Sequence, residues 1–384
     1  MQVVREKIMK TRTLGRTALE VSAVSLGTEY LINLPRHHVV EVIHKAIERG
    51  INYFDLFWAQ AEFRDTMGAA FKGYRAKVLL AAHLGSADIN GQYERTRDPA
   101  LCERFFLDFL ARYRTEYVDI LFLHNSESQE DYDGLMRPDG LREMATRYQR
   151  EGKTRYIGFS GHNASTSRQA AECGAIDVLM FPLSFTNHAM PGRPEMLEAC
   201  ITHNVGLVAM KPFAGGNLLR EERTIEVADY QMGRTEAAGS PMKFMKSKVI
   251  TPVQCLSYIL DQRGVSTAVP GCANTEQLEA ALAYFDATAE EKKYAALLAD
   301  FDRYRTGVCI HCNHCLPCPA NIDIGHVLRL LQMAHQDRKS EAQTAYDTLS
   351  ADASDCIQCG DCAGRCPFGV EVVAQMEEAV GMLG

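Results

Sequence analysis

Nowhere along the 384 residues do lysines or arginines gather into a block, and the formal net charge is -8. A polyanion such as nucleic acid is therefore not an expected partner. No stretch reaches the ~18 continuous apolar residues of a membrane helix, and the opening MQVVREKIMKTRTLGRT lacks an apolar signal-like core, so a cytoplasmic location is expected. No GxGxxG opens a strand–helix unit, which disfavours an open dinucleotide-binding sheet. Cysteine is scarce before residue 300, where only Cys102, Cys173, Cys200, Cys255 and Cys272 occur. An exported disulfide scaffold would not leave so long a stretch so thinly cross-linked.

The other eight cysteines are crowded between Cys309 and Cys366, in CIHCNHCLPCP and CIQCGDCAGRCP. In a chain without export signals such a cluster reads as metal ligands or redox thiols. Length alone favours one large domain and one small one. The cysteines place the small one at the end, giving expected domains of 1–305 and 306–384.

Before the cysteines, short valine-, isoleucine- and phenylalanine-rich runs alternate with helix-period segments. This is the pattern of parallel strands joined by crossover helices. Strands are expected near 21–27, 51–55, 77–83, 117–124, 154–161, 176–182, 205–212 and 265–271. Helices fit HHVVEVIHKAIERG, CERFFLDFLARYR, GLREMATRYQREG, STSRQAAECG, RPEMLEACITHN and TPVQCLSYILDQRG. Eight such units in about 270 residues fit an α/β (β/α)8 TIM-type barrel, with KTRTLGRTALEV as a hairpin closing its bottom. An open doubly wound sheet is the alternative.

Barrel active sites form where strands run into the following loops. The polar residues there are Asp55, His83, His124, Ser160, Asn163 and Lys211, with Glu29 and Gln60 close behind. A carboxylate at the end of an apolar run needs a partner. Adjacent strands lie roughly 4.8 Å apart, so Asp55, His83 and His124 can converge. Asp55 beside His83 would favour the imidazolium and make a proton donor, while His124 would bond a substrate oxygen. The same three residues have the composition of a two-histidine, one-carboxylate metal site. Glu29, Trp58, His162 and His188 are further candidates for lining the substrate space.

The segments GINYFDLFWAQAEFRDTMGAAF, KVLLAAH, EYVDILFLHN, GKTRYIGFSGHN, VGLVAMKPFAGGNL and VPGCANTEQLEA resemble, in order and spacing, the aldo-keto reductase superfamily. The resemblance implies a barrel with a nicotinamide cofactor across the strand ends. It also implies an aspartate, tyrosine, lysine and histidine assisting hydride transfer. Asp55 and His124 match two of these, but Gln60 stands at the tyrosine position and His83 at the lysine position. A glutamine amide can orient an oxygen but is no practical acid, which leaves the expected proton donor missing. Ser160 and Asn163 resemble the residues that contact the nicotinamide amide. The turn and helix start around Gly271 and Asn274 can take a phosphate, either of NAD(H), since no lysine or arginine is present for an extra adenosine phosphate, or of FMN.

Two four-cysteine groups, each ending in Cys-Pro, resemble the ferredoxin-type module carrying two [4Fe-4S] clusters. That resemblance implies crossed ligation, with Cys309, Cys312, Cys315 and Cys366 on one cluster and Cys356, Cys359, Cys362 and Cys318 on the other. Two zinc sites are the alternative. IDIGHVLRLLQMAHQ and SEAQTAYDTLS read as helices between the groups, and His311 and His314 as loop residues. Taken together, the chain is expected to be an atypical iron–sulfur oxidoreductase acting on a small oxygen-bearing substrate, with a ferredoxin or flavoprotein as electron partner. A non-redox lyase or hydratase with purely structural clusters is the alternative.

Overall fold

The structure, a computed structural model, describes residues 9–219, 224–227, 243–246, 250–298, 301, 307, 309, 311, 313–335, 338–366 and 368–384. An antiparallel hairpin of β1 (Thr11–Thr13) and β2 (Glu20–Ser22) comes first. The barrel strands are β3 (Leu26–Gly27), β4 (Tyr53–Leu56), β5 (Leu79–Leu84), β8 (Val118–Ser126), β9 (Thr154–Gly161), β10 (Val178–Pro182), β11 (Gly206–Met210) and β14 (Val265–Val269). Two small hairpins interrupt this series: β6 (Ser86–Ile89) with β7 (Gln92–Arg95), and β12 (Thr224–Val227) with β13 (Lys243–Lys246).

All neighbouring barrel strands are parallel. The sheet closes where Val24 bridges Ala268 and Gly27 bridges Gly271. Two amides complete that seam, Ser25 N–H to Ala268 O at 2.8 Å and Gly27 N–H to Pro270 O at 2.9 Å. The fold is therefore the closed eight-stranded barrel, not the open sheet. All six expected barrel helices form, among them Arg36–Glu48, Pro99–Tyr113 and Pro252–Leu260.

Period-two alternation decides what faces where. Phe54, Leu80, Ala82, Leu121 and Leu123 point outward and pack in the large core under the helices. Tyr53, Ala81, Ile120, Phe122, Val178, Met180, Val208 and Val269 point inward and fill the barrel. Leu14, Leu19 and Val21 of the first hairpin join that inner cluster and plug the bottom. Two residues further along β4, β5 and β8, the inward positions at the top are Asp55, His83 and His124. Filling the lower barrel with apolar side chains leaves the upper mouth as the place where polar groups can meet a ligand.

The C-terminal part has its own core, built on Val327, Leu328, Leu331, Tyr346, Met376 and Leu383. Helices Ile324–Ala334 and Lys339–Tyr346 occupy the two expected segments, and Val372–Leu383 packs against the first. The expected boundary at 305/306 lies outside the described residues. No described helix is long and apolar enough to cross a membrane.

Candidate functional site: a hydrogen-bonded relay in the barrel mouth

A cavity of about 380 Å³ opens at the strand ends and is lined by Asp55, His83, His124, Ser160, Lys211 and Gly271, among others. Of the other expected members, Glu29 and His162 also line it, while Gln60, Asn163, Asn274, Trp58 and His188 do not. His188 instead hydrogen-bonds the Tyr258 hydroxyl at 2.9 Å. Two walls come from the cysteine-rich domain as His314 and Arg329. His314 is thus more than the loop residue expected from sequence, whereas His311 is held by Gly325 O and the Gln332 side chain.

Asp55, His83 and His124 are each at least nine-tenths buried and are joined end to end. His83 Nε2 lies 2.8 Å from Asp55 Oδ1, and His83 Nδ1 lies 2.8 Å from His124 Nδ1. The far nitrogen of His124, Nε2, lies 2.6 Å from the Tyr93 hydroxyl. Phe57 covers the row, with its ring 6.1 Å from that of His124 and 6.0 Å from that of Tyr93. His83 uses opposite nitrogens for its two neighbours, so no single ion can sit among Asp55, His83 and His124. The metal reading of these three residues gives way to a relay.

Burial holds the His124 imidazole well below its ordinary pKa, with help from the neighbouring His83, Arg97, His314 and Arg95. His124 is accordingly neutral, with one N–H and one bare nitrogen. One arrangement of hydrogens that fills the row starts from a carboxylate oxygen accepting a ring N–H. His83 Nε2–H donates to Asp55, His124 Nδ1–H donates to His83 Nδ1, and the Tyr93 O–H donates to His124 Nε2.

Tyr93 is the member that sequence reasoning missed. It comes from the hairpin β6–β7, whose two-residue turn Asn90-Gly91 has φ +55° and +81°. That is the geometry Asn-Gly favours in a type I′ hairpin turn, so the dipeptide was the available signal. Gly85, at φ +105°, lets the chain leave β5 and enter this hairpin. Ser86 Oγ–H donates to Phe57 O, tying the hairpin base to the loop after β4.

The neighbouring Gln92 reaches the other domain. Its Nε2–H donates to Asn321 Oδ1 at 2.7 Å, and its Oε1 accepts from Cys318 N–H at 3.0 Å. Residues 92 and 93 thus connect Cys318 to the relay. Gln60 directly precedes helix Ala61–Ala70, and its Oε1 is buried without a partner.

Several expected cofactor contacts are occupied within the chain. Asn163 Oδ1 caps helix Ala164–Glu172 by accepting from Ser165 N–H and Thr166 N–H. Ser160 Oγ accepts from Asn125 N–H at 2.9 Å. At the start of helix Thr275–Leu282, Asn274 Oδ1 takes the Gln277 amide and Gln277 Oε1 takes the Ala273 amide. Those two amides are therefore already paired within the chain. Asn125, by contrast, lines the cavity with its side-chain oxygen and nitrogen buried and unpartnered, and its backbone holds φ +55°.

In the cysteine-rich domain, Cys318, Cys356, Cys359 and Cys362 line one small cavity. Cys366 acts electrostatically on Cys309, and Arg365 donates to Cys315 O at 2.8 Å and Pro317 O at 2.6 Å. Cys312 lies outside the described residues. Thiol sulfurs gathered in this way, with no disulfide among the described cysteines, fit cubane clusters.

Residues 23–299 match the aldo/keto reductase family. The chain belongs to that family. Residues 308–371 match the 4Fe-4S dicluster domain, so the protein carries two iron–sulfur clusters. It is an oxidoreductase with an atypical active site. The aldo/keto reductase relatives include the uncharacterized oxidoreductase YqkF of Bacillus subtilis (strain 168), 25% identical over 284 residues, which are 70% of this chain and 89% of that protein. L-galactose dehydrogenase of Arabidopsis thaliana is 25% identical over 289 residues, 71% of this chain and 86% of its own. The holo form of aldo-keto reductase AKR11C1 from Bacillus halodurans superposes with a TM-score of 0.61 at 24% identity, covering 76% of this chain and 96% of that one. These matches place the family's barrel on the first three quarters of the chain, and the cysteine-rich domain follows it.

Proposed function

We propose that the barrel mouth binds a small compound carrying a hydroxyl or carbonyl group, and that Asp55, His83, His124 and Tyr93 move its proton. The observation that carries this reading is the unbroken hydrogen-bonded row from Asp55 to the Tyr93 hydroxyl. In alcohol oxidation the substrate hydroxyl proton passes to the Tyr93 oxygen as Tyr93 gives its own to His124 Nε2. His124 then passes its Nδ1 proton to His83 Nδ1, and His83 passes its Nε2 proton to Asp55. Each inner group ends with the number of protons it began with, and only Asp55 gains one. The carbon-bound hydrogen would leave as a second proton, to water in the cavity, and two electrons, one for each bound cluster; carbonyl reduction is the reverse.

Tyr93 takes the role for which Gln60 lacks an acidic proton. The Asn125 amide, with both polar atoms free in the cavity wall, orients the substrate oxygen. Lys211 and Arg329 line the same space, and among the described residues neither has a carboxylate within ion-pair distance, which favours a substrate of negative charge. The cysteines Cys309, Cys312, Cys315 and Cys366 hold one cluster, and Cys318, Cys356, Cys359 and Cys362 the other. Bound clusters supply single-electron exchange, for which an external ferredoxin or flavoprotein is the matching partner.

The test is anaerobic turnover of small hydroxy and oxo acids with a viologen dye as the single-electron partner. Turnover is expected in the wild type and is expected to fall at least 100-fold in Asp55→Asn with cluster absorbance intact. Equal rates in the two proteins contradict the reading.

A further inference from the structure

On the opposite side of the mouth from the relay lies a second group of side chains. Glu127 follows β8, His162 follows β9, and His314 stands in the cysteine-rich loop between Cys312 and Cys315. One donor atom of each lies within 4.8 Å of the other two. His162 Nδ1 and Glu127 Oε1 share a hydrogen across 2.5 Å, where an ion that displaces it would meet both atoms. His314 Nδ1 and Glu127 Oε2 are buried and have no hydrogen-bond partner. A buried acceptor without a partner is costly and calls for an explanation. Two in one cluster call for something that accepts lone pairs.

We infer that Glu127, His162 and His314 form a site for one divalent transition-metal ion on the cavity wall. Two imidazoles and a carboxylate suit iron(II), zinc or a similar ion, whereas calcium and magnesium demand mostly oxygen ligands. Ligands about 2.0 to 2.2 Å from an ion stand about 3 to 3.5 Å apart, so the ion would part His162 from Glu127 and draw His314 in, each by about 1 Å. Arg95 and Lys211 act electrostatically on all three groups. Net charge therefore does not recruit the ion, and coordination bonds must, which also points to a transition metal.

His162 and His314 both line the cavity, so open coordination positions face the space that Tyr93 and His124 also face. Because His314 belongs to the cysteine-rich domain, the ligand set is complete only with the two domains in contact. His162 and Phe368 stack edge to face at 5.3 Å across the same contact.

The experiment uses cluster-loaded protein, stripped of loosely bound ions with EDTA under anaerobic conditions and then titrated with Zn²⁺ and with Co²⁺. The expected result is one Zn²⁺ per chain beyond the cluster iron, and a Co²⁺ spectrum with ligand-field bands but no thiolate charge-transfer band. His162→Ala and Glu127→Gln should each weaken binding at least tenfold while cluster absorbance and far-UV circular dichroism stay unchanged. If His162→Ala alters the fold, Glu127→Gln decides the matter. Wild-type binding no tighter than in the folded variants, or a thiolate band in the Co²⁺ spectrum, overturns the site.

Discussion

Replacing Tyr93 by phenylalanine removes one oxygen atom and should separate the two candidate positions for the proton donor. The lost hydroxyl donates to His124 Nε2 at 2.6 Å, inside an aromatic cage formed with Phe57 and Trp58. The ring itself stays, so packing is conserved, but a buried imidazole nitrogen loses its donor, at a cost of about 1 to 3 kcal/mol. Proton transfer by a positioned side chain contributes about 10² to 10⁴ in rate, equivalent to about 2.7 to 5.4 kcal/mol of barrier. The expected outcome is therefore a drop of at least 100-fold in kcat with KM little changed, together with a modest fall in thermal midpoint. The assay is the viologen-coupled turnover above, run beside Gln60→Ala with cluster iron measured in each sample. If Tyr93→Phe turns over within about twofold of wild type while Gln60→Ala collapses, the reasoning from the relay is refuted.

Further outcomes follow from the same geometry. Cys318→Ser should cost the cluster held with Cys356, Cys359 and Cys362, lowering iron from about eight to about four per chain, and Cys366→Ser should cost the other; loss of the same cluster in both would refute the crossed ligation. Gln92→Ala removes the acceptor of the Cys318 amide and should speed hydrogen exchange at that amide and cluster loss to a chelator, with no change in either if the contact is incidental. His124 stays neutral in the fold, whereas an unfolded histidine takes up a proton below about pH 6.5. As pH falls from about 6.5 the unfolded state gains that proton and the folded state does not, so stability falls by up to about 1.4 kcal/mol per pH unit for this group. His124→Asn should flatten that acid slope in thermal unfolding, and an unchanged slope would place the proton elsewhere.

The barrel was legible because its strands are short, apolar and β-branched, as strands buried on both faces must be. Period two then put Asp55, His83 and His124 on the inner face, so their convergence followed from alternation once the strands were found. The cysteine groups were legible for a local reason, since three of each set of four ligands lie within seven residues of one another. Tyr93 was not legible as a site residue, because a hairpin carries it back across the mouth and nothing near position 93 records where His124 lies. The Asn90-Gly91 dipeptide announced the hairpin but not its destination.

Asn163 and Asn274 show the opposite difficulty. An asparagine before a helix looks the same in sequence whether it caps the helix or holds a ligand, and in both cases the cap took the side chain. His314 is a third kind of case. Its meaning depends on how the cysteine-rich loop docks against Glu127 and His162, a long-range contact that spacing does not encode.

The most direct measurement is electron paramagnetic resonance of the anaerobic, oxidised, cluster-loaded enzyme mixed with small hydroxy acids. Signals of reduced clusters should grow in the wild type and stay absent in Asp55→Asn and Tyr93→Phe. The contradicting result is consumption of those compounds at an undiminished rate by folded protein from which both clusters have been removed.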